Sequence, residues 1–568
     1  MRTAGILSAI AILALPAALV ALAAPPAPPG AEAPRVTFRD VTRQAGIGFV
    51  HNMGKSGKKM MVETMGSGGG FIDYDNDGDL DIYLVNGAPL PGYTGPRPLL
   101  NAMYRNDSVG TTLKFTDVTA STRTGDKGYG MGICAGDYDN DGLTDLYLAN
   151  FGPDVLYHNT GDGTFSVATD EAGVSDARWS TSCAFLDYDH DGDLDLYVAN
   201  YVDFTPDNDK FCGDYTHNVK AYCHPNVYNP QNDMLYRNNG DGTFTDVSRA
   251  AGLQAKDGNG LGVVTGDYDD DGDTDIYVAD DKTPNILYRN NNDGTFTDMT
   301  LMSGTGFGLN GEPLAGMGTD FGDYDGDGDL DIIVTNLDFE NNSLYRNEGG
   351  GVFSDVSFPS GIGAVSLSFV GFGAKFFDYD NDGRLDLAVA NGHILDNAPY
   401  FNDATTYAQR NFLFHGESGG QMKEVGLESG PDMKVANVAR GLAVGDIDGD
   451  GDLDMLFTVC GGAPRLMLNE ARGIGHWIGL RLIGRASNRS ALGARVRVKG
   501  PFGIMTDEVR SGSSYLSQPD LRLHFGLDSA TAAPALEIRW PSGTTQTIQA
   551  AGIDRVLTVL EGQGVVNP

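Results

Sequence analysis

The sequence predicts an all-β fold: a seven-bladed β-propeller closed by its own N-terminal strand, followed by a small β-rich C-terminal domain. Three observations predict it. A nine-residue acidic pattern, D-x-D-x-D-G-x-x-D, starts at Asp73, Asp137, Asp187, Asp267, Asp323, Asp378 and Asp446, at intervals of 64, 50, 80, 56, 55 and 68 residues. Each interval is long enough for one four-stranded blade. Each copy leads into an apolar run and then a hairpin signature. The two halves of that hairpin signature are also offset along the chain by one unit.

The apolar runs read as buried strands. Ile82-Tyr83-Leu84-Val85, Leu146-Tyr147-Leu148-Ala149 and Leu196-Tyr197-Val198-Ala199 are short, rich in β-branched and aromatic residues, and bounded by Asn or Gly. The hairpin is clearest in Leu235-Tyr236-Arg237-Asn238 followed by Gly240-Asp241-Gly242-Thr243-Phe244, two strands joined by an Asp-Gly turn. Its first half recurs at Met103, Leu156, Leu235, Leu287, Leu344, Phe412 and Leu466, but its second half only at Phe115, Phe165, Phe244, Phe296, Phe353 and Met422. The copy Leu466-Met467-Leu468-Asn469 has no partner after it, and the missing half stands at the other end as Phe38-Arg39-Asp40-Val41. A ring needs this offset, because the first strand then fills the last blade and no sheet edge stays open. A linear solenoid does not need it.

Charge points to what the repeated loops hold. The chain of 568 residues carries a net −38, which argues against nucleic acid and anionic membranes as partners. The seven windows hold 34 Asp and one Arg, a net −33, so the rest of the chain carries only −5. Carboxylates focused in this way need a cation. Calcium takes about six to eight oxygens, and a tight loop with Asp at positions one, three, five and nine aims those side chains inward. Gly at position six permits the turn, and the position-seven carbonyl faces the ion.

The expected side-chain ligands are Asp73, Asp75, Asp77 and Asp81; Asp137, Asp139, Asp141 and Asp145; Asp187, Asp189, Asp191 and Asp195; Asp267, Asp269, Asp271 and Asp275; Asp323, Asp325, Asp327 and Asp331; Asp378, Asp380, Asp382 and Asp386; and Asp446, Asp448, Asp450 and Asp454. Asp79, Leu143, Asp193, Asp273, Asp329, Arg384 and Asp452 are the expected carbonyl ligands. About seven Ca2+ ions follow. An EF-hand is excluded at position twelve, where Leu84, Leu148, Val198, Val278, Val334, Val389 and Phe457 stand in place of a bidentate Glu. The bland alternative is that each Asp only caps its own backbone, and seven complete copies weigh against it.

The ends and the cysteines set the compartment. Arg2, the apolar stretch Ile6 to Leu22 and the small-x-small site Ala21-Leu22-Ala23 read as a signal peptide over 1–23, with an uncleaved anchor as the alternative. A Pro-rich spacer over 24–34, the propeller over 35–470 and the last domain over 471–562 follow. The expected product is a monomer, secreted or in the periplasm or cell envelope, with no stable membrane insertion of the mature chain. An insertion between the third and fourth loops holds Cys212 and Cys223, for which a disulfide is favoured over free thiols in an exported chain. Cys134, Cys183 and Cys460 read as buried small hydrophobes. No catalytic residues are assigned: the sequence contains no H-E-x-x-H, and five residues rather than four separate Gly48 from Gly54-Lys55-Ser56, against a P-loop.

These loops and the Gly-rich strands before them resemble FG-GAP (VCBS) repeats, the blades of integrin-α-like propellers. The stretch from His476 to about Thr547 resembles the ASPIC/UnbV domain, through Gly475-His476-Trp477, Ser511-Gly512-Ser513-Ser514-Tyr515-Leu516-Ser517-Gln518, His524-Phe525-Gly526-Leu527 and Arg539-Trp540-Pro541-Ser542-Gly543. The combination is similar to the cartilage acidic protein family and its bacterial relatives, which implies a secreted calcium-binding protein and brings no catalytic residues. Arg489, Arg495 and Trp540 are read as structural rather than as a ligand site. The expected function is a calcium-stabilised interaction or adhesion scaffold for a protein or glycan outside the cytoplasm. Two alternatives stand beside it: a calcium-dependent enzyme or UnbV-type biosynthetic accessory, and a lectin-like carbohydrate binder using Tyr201, Tyr215, Tyr222 and Tyr228.

Overall fold

The computed structural model describes residues 36–567, apart from 111, 254–257 and 501–502. The signal peptide and spacer expected over residues 1–34 lie outside the described residues. Seven antiparallel sheets of the same design follow one another along the chain. In the first blade, Gly69–Ile72 is innermost, followed outward by Asp81–Leu84, Ala102–Asn106 and Phe115–Asp117. The inner strands of the other six are Tyr129–Gly136, Ser180–Leu186, Gly260–Gly266, Thr319–Gly322, Gly371–Phe377 and Ala439–Gly445. Adjacent blades pack face to face. Ile72, Tyr83 and Met103 of blade 1, for example, share a core with Ile133, Leu146 and Leu148 of blade 2. A strand covered on both faces has no solvent side, so it reads as an unbroken apolar run and does not alternate.

The ring closes as the offset of the repeats requires. Phe38–Asp40 is the fourth strand of the last blade, antiparallel to Arg465–Asn469, with Phe38 opposite Asn469, Arg39 opposite Leu468 and Asp40 opposite Met467. Arg465 Nε donates to Asp40 Oδ2 at 3.0 Å, and the Leu466 amide donates to Thr42 Oγ1 at 2.8 Å. Phe38 is fully buried in the core of the last two blades.

The C-terminal domain is two four-stranded sheets. One contains His476–Ile483, Leu523–Asp528, Val556–Leu560 and Gly564–Asn567; the other contains Arg495–Gly500, Gly503–Glu508, Ala535–Arg539 and Thr545–Gln549. Its last strand therefore runs past residue 562. Ile478, Leu480, Val496, Val498, Leu536, Ile538, Trp540 and Leu557 fill its interior. Glu561 ties its end: the carboxylate accepts the Arg485, Ala486 and Ser487 amides at 2.7, 2.8 and 3.0 Å and the Ser542 hydroxyl at 2.6 Å.

Between these sheets the segment Ser511–Gln518 leaves the domain and meets the inner strand of every blade. Ser517 and Gln518 add a parallel strand to Gly69 and Gly70 of blade 1. Gln518 Oε1 accepts the Ala135 amide of blade 2, and Ser182 Oγ of blade 3 accepts the Leu516 amide. Ser514 exchanges two backbone bonds with Thr319 of blade 5, at 2.8 and 2.9 Å. The Tyr515 ring packs edge-on against Phe372 of blade 6 at 4.9 Å. The remaining two blades approach through glycines: Gly262 of blade 4 faces the Ser514 carbonyl, and Gly441 of blade 7 faces Ser517. A segment that touches all seven inner strands lies on the ring axis. Gly68 and Gly441 show what this demands, since a Cβ would lie 2.3 Å from the Leu516 carbonyl at the first and 2.5 Å from Ser517 Oγ at the second. Small residues line the axis because the backbone of another domain occupies it.

Two outcomes are expected. Deleting residues 35–45 exposes a strand edge and produces aggregation or partial opening in size-exclusion and proteolysis assays, whereas deleting 24–33 leaves both unchanged; equal tolerance of the two deletions would refute the closure. For Glu561, burial pushes the carboxyl up, but the Ser487 amide, the Ser542 hydroxyl and the Arg485 and Ala486 amides outweigh it and hold the group at about 2, against 4.5 in the open chain. Stability from this carboxylate is present above pH 4.5 and is lost as pH falls toward 2. Glu561→Gln should therefore lower Tm at neutral pH, with the gap from wild type closing below pH 4.5.

Candidate metal centres

Each acidic loop joins an inner strand to the second strand of its blade, and its backbone explains its sequence. Position four has a left-handed φ in all seven copies: Asn76 58°, Asn140 58°, His190 59°, Asp270 60°, Gly326 77°, Asn381 57° and Gly449 73°. Asn, Asp and Gly tolerate this region best. Position six is Gly throughout, with φ between 84° at Gly383 and 104° at Gly272. These two turns fold the odd-numbered side chains toward one point.

The ninth residue anchors the loop. Asp81, Asp145, Asp195, Asp275, Asp331, Asp386 and Asp454 are each at most 1% exposed. In every blade one carboxylate oxygen accepts the amide of loop position two and the other accepts an amide of the third strand. For Asp81 these are Tyr74 at 3.2 Å and Asn106 at 2.8 Å; for Asp454 they are Ile447 at 3.1 Å and Asn469 at 2.7 Å. The position-seven amides of Asp79, Leu143, Asp193, Asp273, Asp329, Arg384 and Asp452 donate to the fifth-position carboxylates. Backbone capping, the bland alternative, is thus part of the design, but it leaves oxygens over. Both oxygens of Asp187, which is 2% exposed, and Oδ1 of Asp73, Asp189, Asp269, Asp323, Asp325 and Asp448 are buried without a hydrogen-bond partner.

Those oxygens converge. Asp73, Asp75 and Asp81 bring ligand atoms within 4.8 Å of one another, as do Asp137, Asp139 and Asp141, and Asp187, Asp189 and Asp195. Oxygens on one calcium ion lie at most about 5 Å apart, so a single ion can bridge each set. Burial, reinforced by neighbouring carboxylates, pushes Asp81 up to about 8, Asp137 to about 7 and Asp323 to about 7. The bare cluster resists full ionisation, and a divalent cation at the point of convergence would remove that resistance.

Several site residues were not legible as such. The Asn that ends the third strand, read as part of a plain hairpin, links neighbouring loops. Asn159 Nδ2 donates to the Tyr74 carbonyl at 2.8 Å, Asn238 to Tyr138, Asn290 to Tyr188, Asn347 to Tyr268 and Asn469 to Tyr379. Asn106 reaches Ile447 across the seam between first and last blades at 3.0 Å. Blade 6 has Gly416 at this position and lacks the side chain. A spacing of three between Leu and Asn in L-Y-R-N was the available signal. One residue earlier stands Arg105, His158, Arg237, Arg289, Arg346, His415 or Leu468.

The C-terminal domain also reaches these loops. Arg495, 2% exposed on its side chain, pairs with Asp270 at 2.8 Å and with Glu508 at 3.2 Å. Arg539 pairs with Asp267, and Arg497 Nη2 meets Asp270 at 2.8 Å. The Arg489 amide donates to Asn140 Oδ1 at 2.9 Å, and Trp540 is buried in the domain core. Arg495 and Trp540 thus make structural contacts through their side chains, whereas Arg489 makes its contact through the backbone amide. Cys212 and Cys223 form a disulfide, and Cys134, Cys183 and Cys460 are free and buried.

The aromatic residues assigned to a lectin-like site need correction. Tyr201, Tyr222 and Tyr228 are 0%, 7% and 7% exposed, and the hydroxyls of the first two bond Asp281 and Glu63. They pack the insertion onto the propeller, with Tyr201 and Tyr228 in one core with Tyr515. Only Tyr215 of the four is exposed, at 75%.

Comparison with known proteins agrees with this architecture. The FG-GAP-like repeat model matches residues 73–148, 137–198, 226–278, 267–334 and 323–389, and the ASPIC and UnbV model matches 484–566. Cartilage acidic protein 1 of Xenopus tropicalis is 25% identical over 519 residues, covering 86% of this chain and 72% of that protein. The human protein of the same name is 25% identical over 528 residues, covering 86% and 71%. Among solved structures, the BP39L lectin from Burkholderia pseudomallei aligns with a TM-score of 0.40 at 9% identity, over 71% of this chain and 98% of the lectin. An Agrocybe aegerita lectin, solved for its recognition of non-reducing terminal N-acetylglucosamine, aligns at 0.37 and 18%, over 63% and 81%. With its repeats matched over half of its length and its last domain matched separately, the chain belongs to the FG-GAP-like repeat family and carries a C-terminal ASPIC and UnbV domain.

Proposed function

We propose that this protein is an exported calcium-binding propeller that acts as an interaction scaffold for a protein or glycan outside the cytoplasm. The observation that carries the calcium reading is the set of buried, partnerless carboxylate oxygens inside a loop repeated seven times, with both oxygens of Asp187 the extreme case. Hard oxygen donors in this number suit calcium, and magnesium, which keeps its waters and demands octahedral geometry, suits them less. Export rests on the apolar N-terminal stretch in the sequence and on the Cys212–Cys223 disulfide, a bond of oxidising compartments.

The surface offered to a partner is the disulfide-bonded insertion. Its exposed Tyr215 packs against Phe211 with ring centroids 4.8 Å apart, and Tyr400, 49% exposed, donates to Asp214 Oδ2 at 2.9 Å beside it. Exposed aromatics on a rigid base are the residues that anchor recognition. No helix among the described residues is long and apolar enough to cross a bilayer.

Native mass spectrometry in calcium should show about seven divalent ions per chain, in the affinity class of about 10⁻⁴–10⁻³ M common for extracellular modules. Chelation should lower Tm, because an ion that binds only the folded state stabilises it by mass action. Two ions or fewer, or a Tm indifferent to chelator, would sink the reading.

A further inference from the structure

We propose that blades 2 and 6 take a transition-metal ion of the zinc class, with His158 and His415 as nitrogen ligands, so that the seven loops form two chemical classes of site. The inference rests on the reading of the loops as cation sites and refines it. Its starting point is the third-strand residue that stands over each loop. Four blades place Arg there and the last places Leu468. A guanidinium stays protonated and can only pair with the carboxylates, never ligate a metal. An imidazole can do either.

The geometry favours ligation. His158 Nδ1 lies 3.3 Å from Asp139 Oδ2 and 3.4 Å from Asp145 Oδ1. His415 Nδ1 lies 3.1 Å from Asp386 Oδ1 and 3.8 Å from Asp380 Oδ2. In both trios the three ligand atoms are within 4.8 Å of one another. Zinc bonds of about 2.0–2.2 Å at tetrahedral angles put neighbouring ligand atoms about 3.3–3.6 Å apart, which brackets the blade 2 distances and falls between those of blade 6. Both ring nitrogens are aimed at the carboxylates of their loops: His158 Nδ1 is shielded from solvent and pairs with Asp139 and Asp145, and His415 Nδ1 bonds Asp386 Oδ1 at 3.1 Å.

Ligand chemistry then separates these loops from the other five. Calcium takes oxygen donors, whereas imidazole with carboxylate suits zinc and its neighbours in the first transition row. Two carboxylates and one imidazole leave a fourth position for water or for the side chain of a partner, the arrangement of an open zinc site. The competing account is that His158 and His415 are protonated substitutes for the arginines of the other blades.

Substituting the residue that those blades use separates the two accounts. His158→Arg and His415→Arg keep a positive charge beside the carboxylates and remove the nitrogen ligand. The full chain, dialysed to equilibrium against millimolar calcium with micromolar zinc, should hold one zinc in excess of the dialysate for each of the two histidines by elemental analysis. Each Arg variant should lose one, and the double variant both, while the calcium of the other loops is retained. Cobalt in place of zinc should give a visible d–d spectrum that disappears in the double variant. Calcium retained with no zinc, or zinc retained equally by wild type and double variant, would overturn the two-class assignment and leave the calcium reading standing. Retention of neither metal would overturn both.

Discussion

One buried carboxylate per blade organises this protein. The ninth loop residue, from Asp81 to Asp454, is cut off from water and accepts amides from the loop and from the third strand. It therefore fixes the loop, starts the second strand and sets the register of the third in a single residue. Burying it without compensation would be costly, and two amide bonds answer only part of its charge. His158 and His415 pair with it in two blades, while the aspartates that converge on the same point add to the imbalance, which a cation among them would relieve. The Asn latch then passes the order of the loop to the next blade at six of the seven junctions, and the latch from Asn106 to Ile447 carries it across the seam.

The C-terminal domain makes a ring of similar blades into one unit. Ser511–Gln518 bonds or packs against all seven inner strands, and arginines of the same domain grip the blade 4 loop through Asp267 and Asp270. The domain thus meets the propeller both along its axis and at its acidic loops. A change in the charge of those loops would be felt by the domain through Arg495, whose side chain is buried between Asp270 and Glu508.

Much of this was legible because it is periodic or local. The Asp spacing marks the loops, the apolar runs mark the second strands, and the count of hairpin halves places Phe38–Asp40 against Arg465–Asn469. What escaped depends on contacts without a local pattern. The glycines of the inner strands are plain in the sequence, but the backbone they make room for comes from residues hundreds of positions away, at Tyr515 and Leu516. His158 and His415 look like variants of a hairpin position until the loop is folded beneath them. Tyr201, Tyr222 and Tyr228 sit in a loop-like stretch that suggests exposure, whereas the disulfide-bonded insertion folds back and buries them.

The central claim is that a cation completes the charge balance around each ninth-position carboxylate and so holds loop and strand together. Amide hydrogen exchange at Asn106, Asn159, Asn238, Asn290, Asn347, Gly416 and Asn469, the seven third-strand donors to those carboxylates, tests it directly. The account predicts strong protection in calcium that falls at all seven on chelation, ahead of amides within the second strands. Protection unchanged by chelator at these amides would contradict it.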